Sequence, residues 1–379
     1  MQYLSKTFSH LAIVILMAGL TACSEDKPSS DDATVAKPAN QPVVSGFTNT
    51  SGYRVLDTFN VGDNVYVRSL AVDKKSKALW VGTSVGVLEV NLVDNNLAGT
   101  YTREHGLANE YVFGIHVDAQ GNRWFGTNGG GISRYSVDKK WKTYFPMHGL
   151  ADYWVYSFTE QADGTLWIGT WAGLNRFDPK SGKLHTYIDE LVNEWVYGLD
   201  VDSKDRVWIG TEGGINMFDG KTWHTWTHKE GLGAGNEQNL PLSTNTGLGT
   251  RTRHDLSVMS EGQQTYNPDY VFALIVDKKD TIWAGTWGGG LSHFDGKVWT
   301  NYTVKDGLAG NIVYSVVQDE KGGMWVGTNG GLSYFDGNTW HGFNRSNGLL
   351  DNNIYAIAPT SNGQVWVGSR SGVMLLGKP

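Results

Sequence analysis

With 379 residues, 40% of them hydrophobic, and 16 Trp, 17 Tyr and 13 Phe, the chain can bury a large core. A formal charge of −7 without a basic cluster argues against a nucleic-acid partner. The single cysteine excludes an internal disulfide, so stability must come from packing alone.

Residues 1–22 read as a targeting segment. Lys6 supplies a positive charge, and Leu11 to Leu20 form an apolar run too short to cross a bilayer core of roughly 30 Å as a helix. Leu20-Thr21-Ala22 then places small residues before Cys23. The stretch resembles the lipobox of bacterial lipoproteins. That resemblance implies cleavage before Cys23, acylation of Cys23 by fatty acids such as palmitate, and, with Ser24 rather than Asp next, sorting to the outer membrane. Two acyl chains hold a protein stably where one is marginal. Residues 23–45 are mostly Ser, Asp, Lys, Pro and Ala, which cannot offset their ordering entropy, and predict a disordered tether. No later apolar run has the length of a transmembrane helix.

From residue 46 to 379 the chain is a repeat. Trp-x-Gly-Thr occurs at Trp80, Trp124, Trp167, Trp208, Trp283 and Trp325, and Trp366 opens Trp-Val-Gly-Ser. The steps are 44, 43, 41, 75, 42 and 41 residues, which is propeller spacing with one insertion. Each unit spells four strands. In the second, Val112 to Val117 alternates, Ala119-Gln120-Gly121-Asn122 turns, Arg123 to Thr127 follows, Ile132 to Ser136 is third and Trp141 to Phe145 outermost. Asp219-Gly220, Asp295-Gly296 and Asp336-Gly337 mark hairpins between strands three and four. On the innermost strand a column of small residues, Ser69, Gly114, Ser157, Gly198, Ala273, Ser315 and Ala356, fits the crowding expected near a central axis. The last unit stops after its third strand at Gly372 to Leu376, while Tyr53 to Phe59 form an unassigned strand at the start. The prediction is therefore an all-β, seven-bladed β-propeller of four-stranded antiparallel blades, closed by an N-terminal strand that completes the last blade.

The Asp-x-x-Gly-x-x-Trp-x-Gly-Thr core and Gly-Leu exit of these units resemble the two-component regulator propeller repeat. The resemblance runs over roughly residues 50–379. It implies a periplasmic ligand-sensing propeller of the kind found in hybrid histidine kinases that respond to polysaccharide fragments. The layout read here is a stand-alone lipoprotein with one ring.

Loops entering strand one and loops joining strands two and three must share one face, because strand one starts where strand two ends. The position entering strand one reads Tyr66, Tyr111, Trp154, Trp195, Tyr270, Ile312 and Asn353, and the residue before it includes Glu110, Glu194 and Asp269. The second loop set contributes Trp171, Glu212, Trp287 and Arg370. Aromatic faces with a few carboxylates and one Arg suit a sugar or a similar polar-apolar ligand, although aromatic residues at strand entrances also serve as plugs. The long step carries 33 extra residues, 75 − 42, around 233–266, with Arg251, Arg253, His254 and Asp255 in the middle. A lid, a partner-binding arm or a neutral insertion all fit such a loop.

No chemistry stands out. His224 and His228 sit about 13 Å apart along a strand, too far for one metal ion. His105 and His148 occupy a turn slot that Glu230, Asp306 and Asn347 fill elsewhere. No catalytic or cofactor motif is present, so neither enzyme activity nor a cofactor is expected; Glu110 and Glu194 with His254 are the nearest approach to a lyase pair. The leading expectation is binding of an oligosaccharide or similar ligand, or of an envelope protein, as a sensor or accessory in signal transduction. A scaffold in an envelope assembly is the alternative, and a lyase or hydrolase comes third.

Overall fold

The computed structural model describes residues 49–243 and 265–379. Cys23, the expected signal segment and the tether lie outside the described residues, as do Arg251, Arg253, His254 and Asp255.

The repeat pattern builds each blade locally. In blade two, Val112–Val117 turns back into Arg123–Thr127, and Asp118 holds that turn from both sides. One of its oxygens accepts the Asn122 amide (2.7 Å) and the other accepts Trp124 Nε1 (2.8 Å). The same indole bond recurs at Asp202–Trp208, Asp277–Trp283 and Asp319–Trp325, and Gln161 takes the role for Trp167. This is why the motif spaces its acidic residue six positions before its Trp. A buried indole N–H without an acceptor would be costly. Farther out, the Asp219 carboxylate accepts the amides of Lys221 and Thr222, and Gly220 takes φ +95°, so the third hairpin closes as an Asx turn.

Seven four-stranded antiparallel sheets result, and the N-terminal strand completes the last. Arg54–Phe59 pairs with Gly372–Gly377, from Arg54 opposite Gly377 to Phe59 opposite Val373. The expected closure is therefore present, and the ring presents no open third strand.

Between blades, the repeat Trp and Gly do complementary work. Trp80, Trp167, Trp325 and Trp366 are fully buried in the wedges. The glycine two residues later faces the innermost strand of the next blade. A Cβ on Gly126 would stand 2.7 Å from the Val155 carbonyl oxygen, closer than atoms tolerate. The same contact closes the ring, where Gly368 of blade seven meets Val67 of blade one.

The small column sits where neighbouring innermost strands crowd together near the axis, and does not line the axis itself. Gly114 lies against the backbone of Tyr156 and Gly198 against Ala273 and Leu274, so these residues are small because neighbouring innermost strands approach one another there. What lines the axis is set by a β-bulge in every blade. Val67 pairs with Thr83 and Ser69 with Gly82, leaving Arg68 as the extra residue. Identical shifts occur at Phe113, Tyr156, Tyr197, Phe272, Tyr314 and Tyr355. A bulge re-aims its extra side chain, and seven of them aim one side chain each toward the centre.

Candidate binding face

The two loop sets do meet on one face. The amide after Gly-Thr/Ser donates to the carbonyl of the residue entering strand one, as from Ser84 to Tyr66 (3.0 Å), Asn128 to Tyr111 (2.9 Å) and Trp171 to Trp154 (3.1 Å). These bonds hold the rim positions beside one another.

The rim aromatics fall into two groups. Trp171, Trp195, Tyr270 and Trp287 are 2–6% exposed and belong to one buried aromatic cluster. Trp171 lies 5.2 Å from both Trp154 and Trp195, and Tyr270 stacks on Trp287 at 5.6 Å and 17°. Tyr66, Tyr111 and Trp154 are half-buried and keep ring surface toward solvent. Arg370 lies over the Tyr66 ring at 5.5 Å.

The predicted carboxylates are engaged in different ways. Glu110 accepts the Arg103 amide and pairs with Arg103 Nε at 2.8 Å. Asp269 accepts the His228 amide at 2.5 Å, and burial pushes its carboxyl up. Asn311 and Asn352 make the same bond to Val304 and Arg345. Glu110, Asp269, Asn311 and Asn352 therefore each cap the turn that leads out of the preceding outermost strand, a role that sequence reading did not assign. Glu194 is exposed and Glu212 is 7% exposed. His105 and His148 are indeed turn residues, each accepting the amide that opens the turn.

Below the rim lies the feature that sequence reading missed. Arg68, Phe113, Tyr156, Tyr197, Phe272, Tyr314 and Tyr355 enclose a cavity of about 120 Å³ on the axis. The rings touch in sequence around it: Phe113–Tyr156 at 4.8 Å, Tyr156–Tyr197 at 4.9 Å, Tyr197–Phe272 at 5.5 Å, Phe272–Tyr314 at 6.1 Å and Tyr314–Tyr355 at 5.1 Å. Arg68 closes the circle between Tyr355 (5.5 Å) and Phe113 (5.3 Å). Burial raises the Tyr156, Tyr197, Tyr314 and Tyr355 phenols far above their ordinary value, so they stay neutral. The seven positions stand two residues beyond the column entering strand one, so a register-aligned reading of the repeats would have found them. Strict alternation cannot say which of two neighbours a bulge turns inward.

A second cavity of about 470 Å³ opens where blade seven meets blade one, lined by Thr58, Asn60, Asp63, Asn64, Asp351 and Arg370 among others. Asp351 is held by the Asn353 amide (2.7 Å) and by Ser371 Oγ (3.2 Å). The described ends of the insertion reach the rim of blade five. Thr265 accepts Trp287 Nε1 (2.9 Å), Tyr266 donates to the Ala234 carbonyl (2.6 Å), and Ala234 donates to Gly289 (2.9 Å).

Residues 149–172, 307–330 and 348–371 match the two-component regulator propeller model, each spanning a Gly-Leu exit and the following Trp-x-Gly-Thr/Ser. These blades are two-component regulator propeller repeats. Solved structures share the ring. The extracellular domains of two hybrid two-component systems of B. thetaiotaomicron superpose with TM-scores of 0.68 and 0.60 at 22% and 18% identity. This chain is covered to 86% and 85% and spans 41% and 39% of those domains. A virginiamycin B lyase from Staphylococcus aureus, in a complex with quinupristin, matches at TM-score 0.63 and 12% identity over 86% of this chain and 99% of its own. At these identities the likeness shows the fold. No curated relative matches the chain. Among the described residues, no cluster of His, Cys, Asp or Glu is arranged to hold a metal, and no helix is long and apolar enough to cross a membrane.

Proposed function

We propose that this regulator propeller is the ligand-binding part of a lipid-anchored envelope protein, tethered through Cys23 to the outer membrane and acting as a sensor or accessory without catalysis. The observation that carries this reading is the concentration of aromatic faces on one side of the ring, with open ring surface at Tyr66, Tyr111 and Trp154 above an axial cavity. Flat apolar faces beside Arg370 and Glu194 suit a sugar, whose ring has apolar faces and a polar edge. The ligand class is therefore an oligosaccharide or a molecule of similar character.

A thermal-shift screen of the purified protein against an oligosaccharide panel tests the reading, since a ligand that binds only the folded state raises Tm by mass action. The shift should disappear in Trp154→Ala. If the whole panel leaves Tm unchanged while the protein co-purifies with envelope proteins, binding a small ligand is the wrong function. One observation favours that scaffold reading as second choice: the insertion is fastened at both described ends to the rim of blade five, where it can reach a protein partner.

A further inference from the structure

Six of the seven side chains around the axial cavity are aromatic, and the seventh is Arg68. Arg68 is 8% exposed, and its Nε and Nη1 are buried without a hydrogen-bond acceptor. Rings surround the guanidinium at 5.3 Å (Phe113), 5.5 Å (Tyr355) and 6.0 Å (Tyr111). Ring faces attract a cation, but they do not satisfy N–H donors. A guanidinium cannot shed its proton to escape burial. The Tyr355 hydroxyl, also buried, has no partner either. The acidic groups nearby do not answer this need: Asp351 is held by Asn353 and Ser371, and none of the ion pairs among the described residues includes Arg68.

We infer that the axial cavity is an anion pocket, in which Arg68 receives a carboxylate carried by the ligand. The inference rests on the reading that this face takes a ligand, and it names that ligand's class: an acidic sugar or a similar carboxylate. The size agrees. A volume of 120 Å³ is roughly that of four liquid waters at about 30 Å³ each, enough for a carboxylate and the atoms behind it while the rest of the ligand stays at the rim. The shape agrees too, since guanidinium and carboxylate are both planar and pair through strong charge-assisted bonds. Asp152, Glu212 and Asp351 make the surroundings partly acidic, and Arg370 opposes them at Tyr355.

The test compares glucuronate, acetate and glucose at fixed ionic strength, by calorimetric titration and Tm, on the wild type, Arg68→Met and Arg68→Tyr, the last being what four other blades place there. Glucuronate is expected to bind the wild type at least tenfold more tightly than glucose, and both variants should lose that preference. The variants should also melt at or above the wild-type temperature in buffer alone, because a buried unpaired charge has been replaced by an apolar or neutral side chain. Acetate binding as well as glucuronate would identify a free carboxylate as sufficient, and glucuronate alone would identify the acidic sugar; both support the pocket. Equal binding of glucose and glucuronate, no binding of any probe to the wild type, or unchanged glucuronate binding in both variants would overturn it. If neutral oligosaccharides bind through Trp154 regardless of Arg68, the pocket fails and the rim stands. If Trp154→Ala leaves glucuronate binding intact while Arg68→Met abolishes it, the rim fails and the pocket stands.

Discussion

The arc of blades three to five and the seam between blades seven and one are built from the same repeat, yet they present opposite surfaces. The arc carries Trp154, Trp171, Trp195, Tyr270 and Trp287, most of them buried and stacked on one another. The seam carries Arg68 and Arg370 with Asp63, Asp351 and Asn64 around open space. In both regions the backbone frame is identical, down to the bulge that opens each innermost strand. The contrast therefore lies in side chains that the frame leaves unconstrained. It divides the face into an apolar wall and a charged side, where Arg68 and Arg370 could meet the anionic end of an amphipathic ligand.

The largest effect should come from cutting the seam. Deleting residues 49–59 removes the strand paired with Gly372–Gly377 and takes away Tyr53, which packs edge-on against Trp325 at 4.9 Å. The exposed third strand would then offer unpaired backbone groups to other chains. Loss of the cooperative melting transition, with aggregation seen by light scattering, is the expected outcome. A monomer that melts like the parent would show that the seam is dispensable for closure.

In the arc, Trp195→Ala and Trp154→Ala should separate packing from ligand contact. Trp195 is 6% exposed and wedged against Trp171, so truncation should cost about 3–5 kcal/mol in chemical denaturation. Trp154 keeps solvent-facing surface, and its loss should cost clearly less while removing the ligand-induced Tm shift. Equal destabilisation by the two would mean that the arc is a plug throughout.

The fold could be read almost entirely from the sequence, for a physical reason. The residues that define it, such as Trp124 with Asp118, act within one hairpin or against the next blade, so every constraint repeats at a fixed spacing. The site was less legible because it depends on departures from that spacing. Glu110 and Asp269 vary in charge as ligand contacts would, but what they accept is a backbone amide, and a carboxylate or an amide serves equally well there. Arg68 and its ring escaped because a bulge, invisible to period-two reasoning, decides which neighbour faces the axis.

Beneath the arc, Asp200 gives a pH test. Burial pushes its carboxyl from 3.8 up to about 6, against the amides of Val276 (2.7 Å) and Val201 (2.8 Å), which favour the charged form. Because the folded state holds this proton more tightly than the unfolded state, its contribution to stability is full below about pH 4 and falls as pH rises through 6. Relative to Asp200→Asn, which stays neutral, the wild type should lose at most about 3 kcal/mol between pH 4 and 7. Denaturation curves at both pH values read this directly, and a pH-independent difference would place the carboxyl in contact with water.

The smallest effect on stability should come from Arg370→Ala at the seam, and it sharpens the comparison most. Arg370 is half-buried over the Tyr66 ring, and that contact is worth about 0.5–1 kcal/mol where solvent reaches it. Tm should therefore move less than in the Trp195→Ala variant. Its charge, by contrast, is felt at Tyr355 on the axial cavity, where it opposes Asp351. Removing it should weaken glucuronate binding severalfold, with a steeper response to added salt in the wild type than in the variant, and leave glucose binding unchanged. Arg68→Met should reach the same preference loss at greater depth. If Arg370→Ala weakens both sugars alike, the seam contributes shape rather than charge, and the division of the face into an apolar wall and a charged side does not hold.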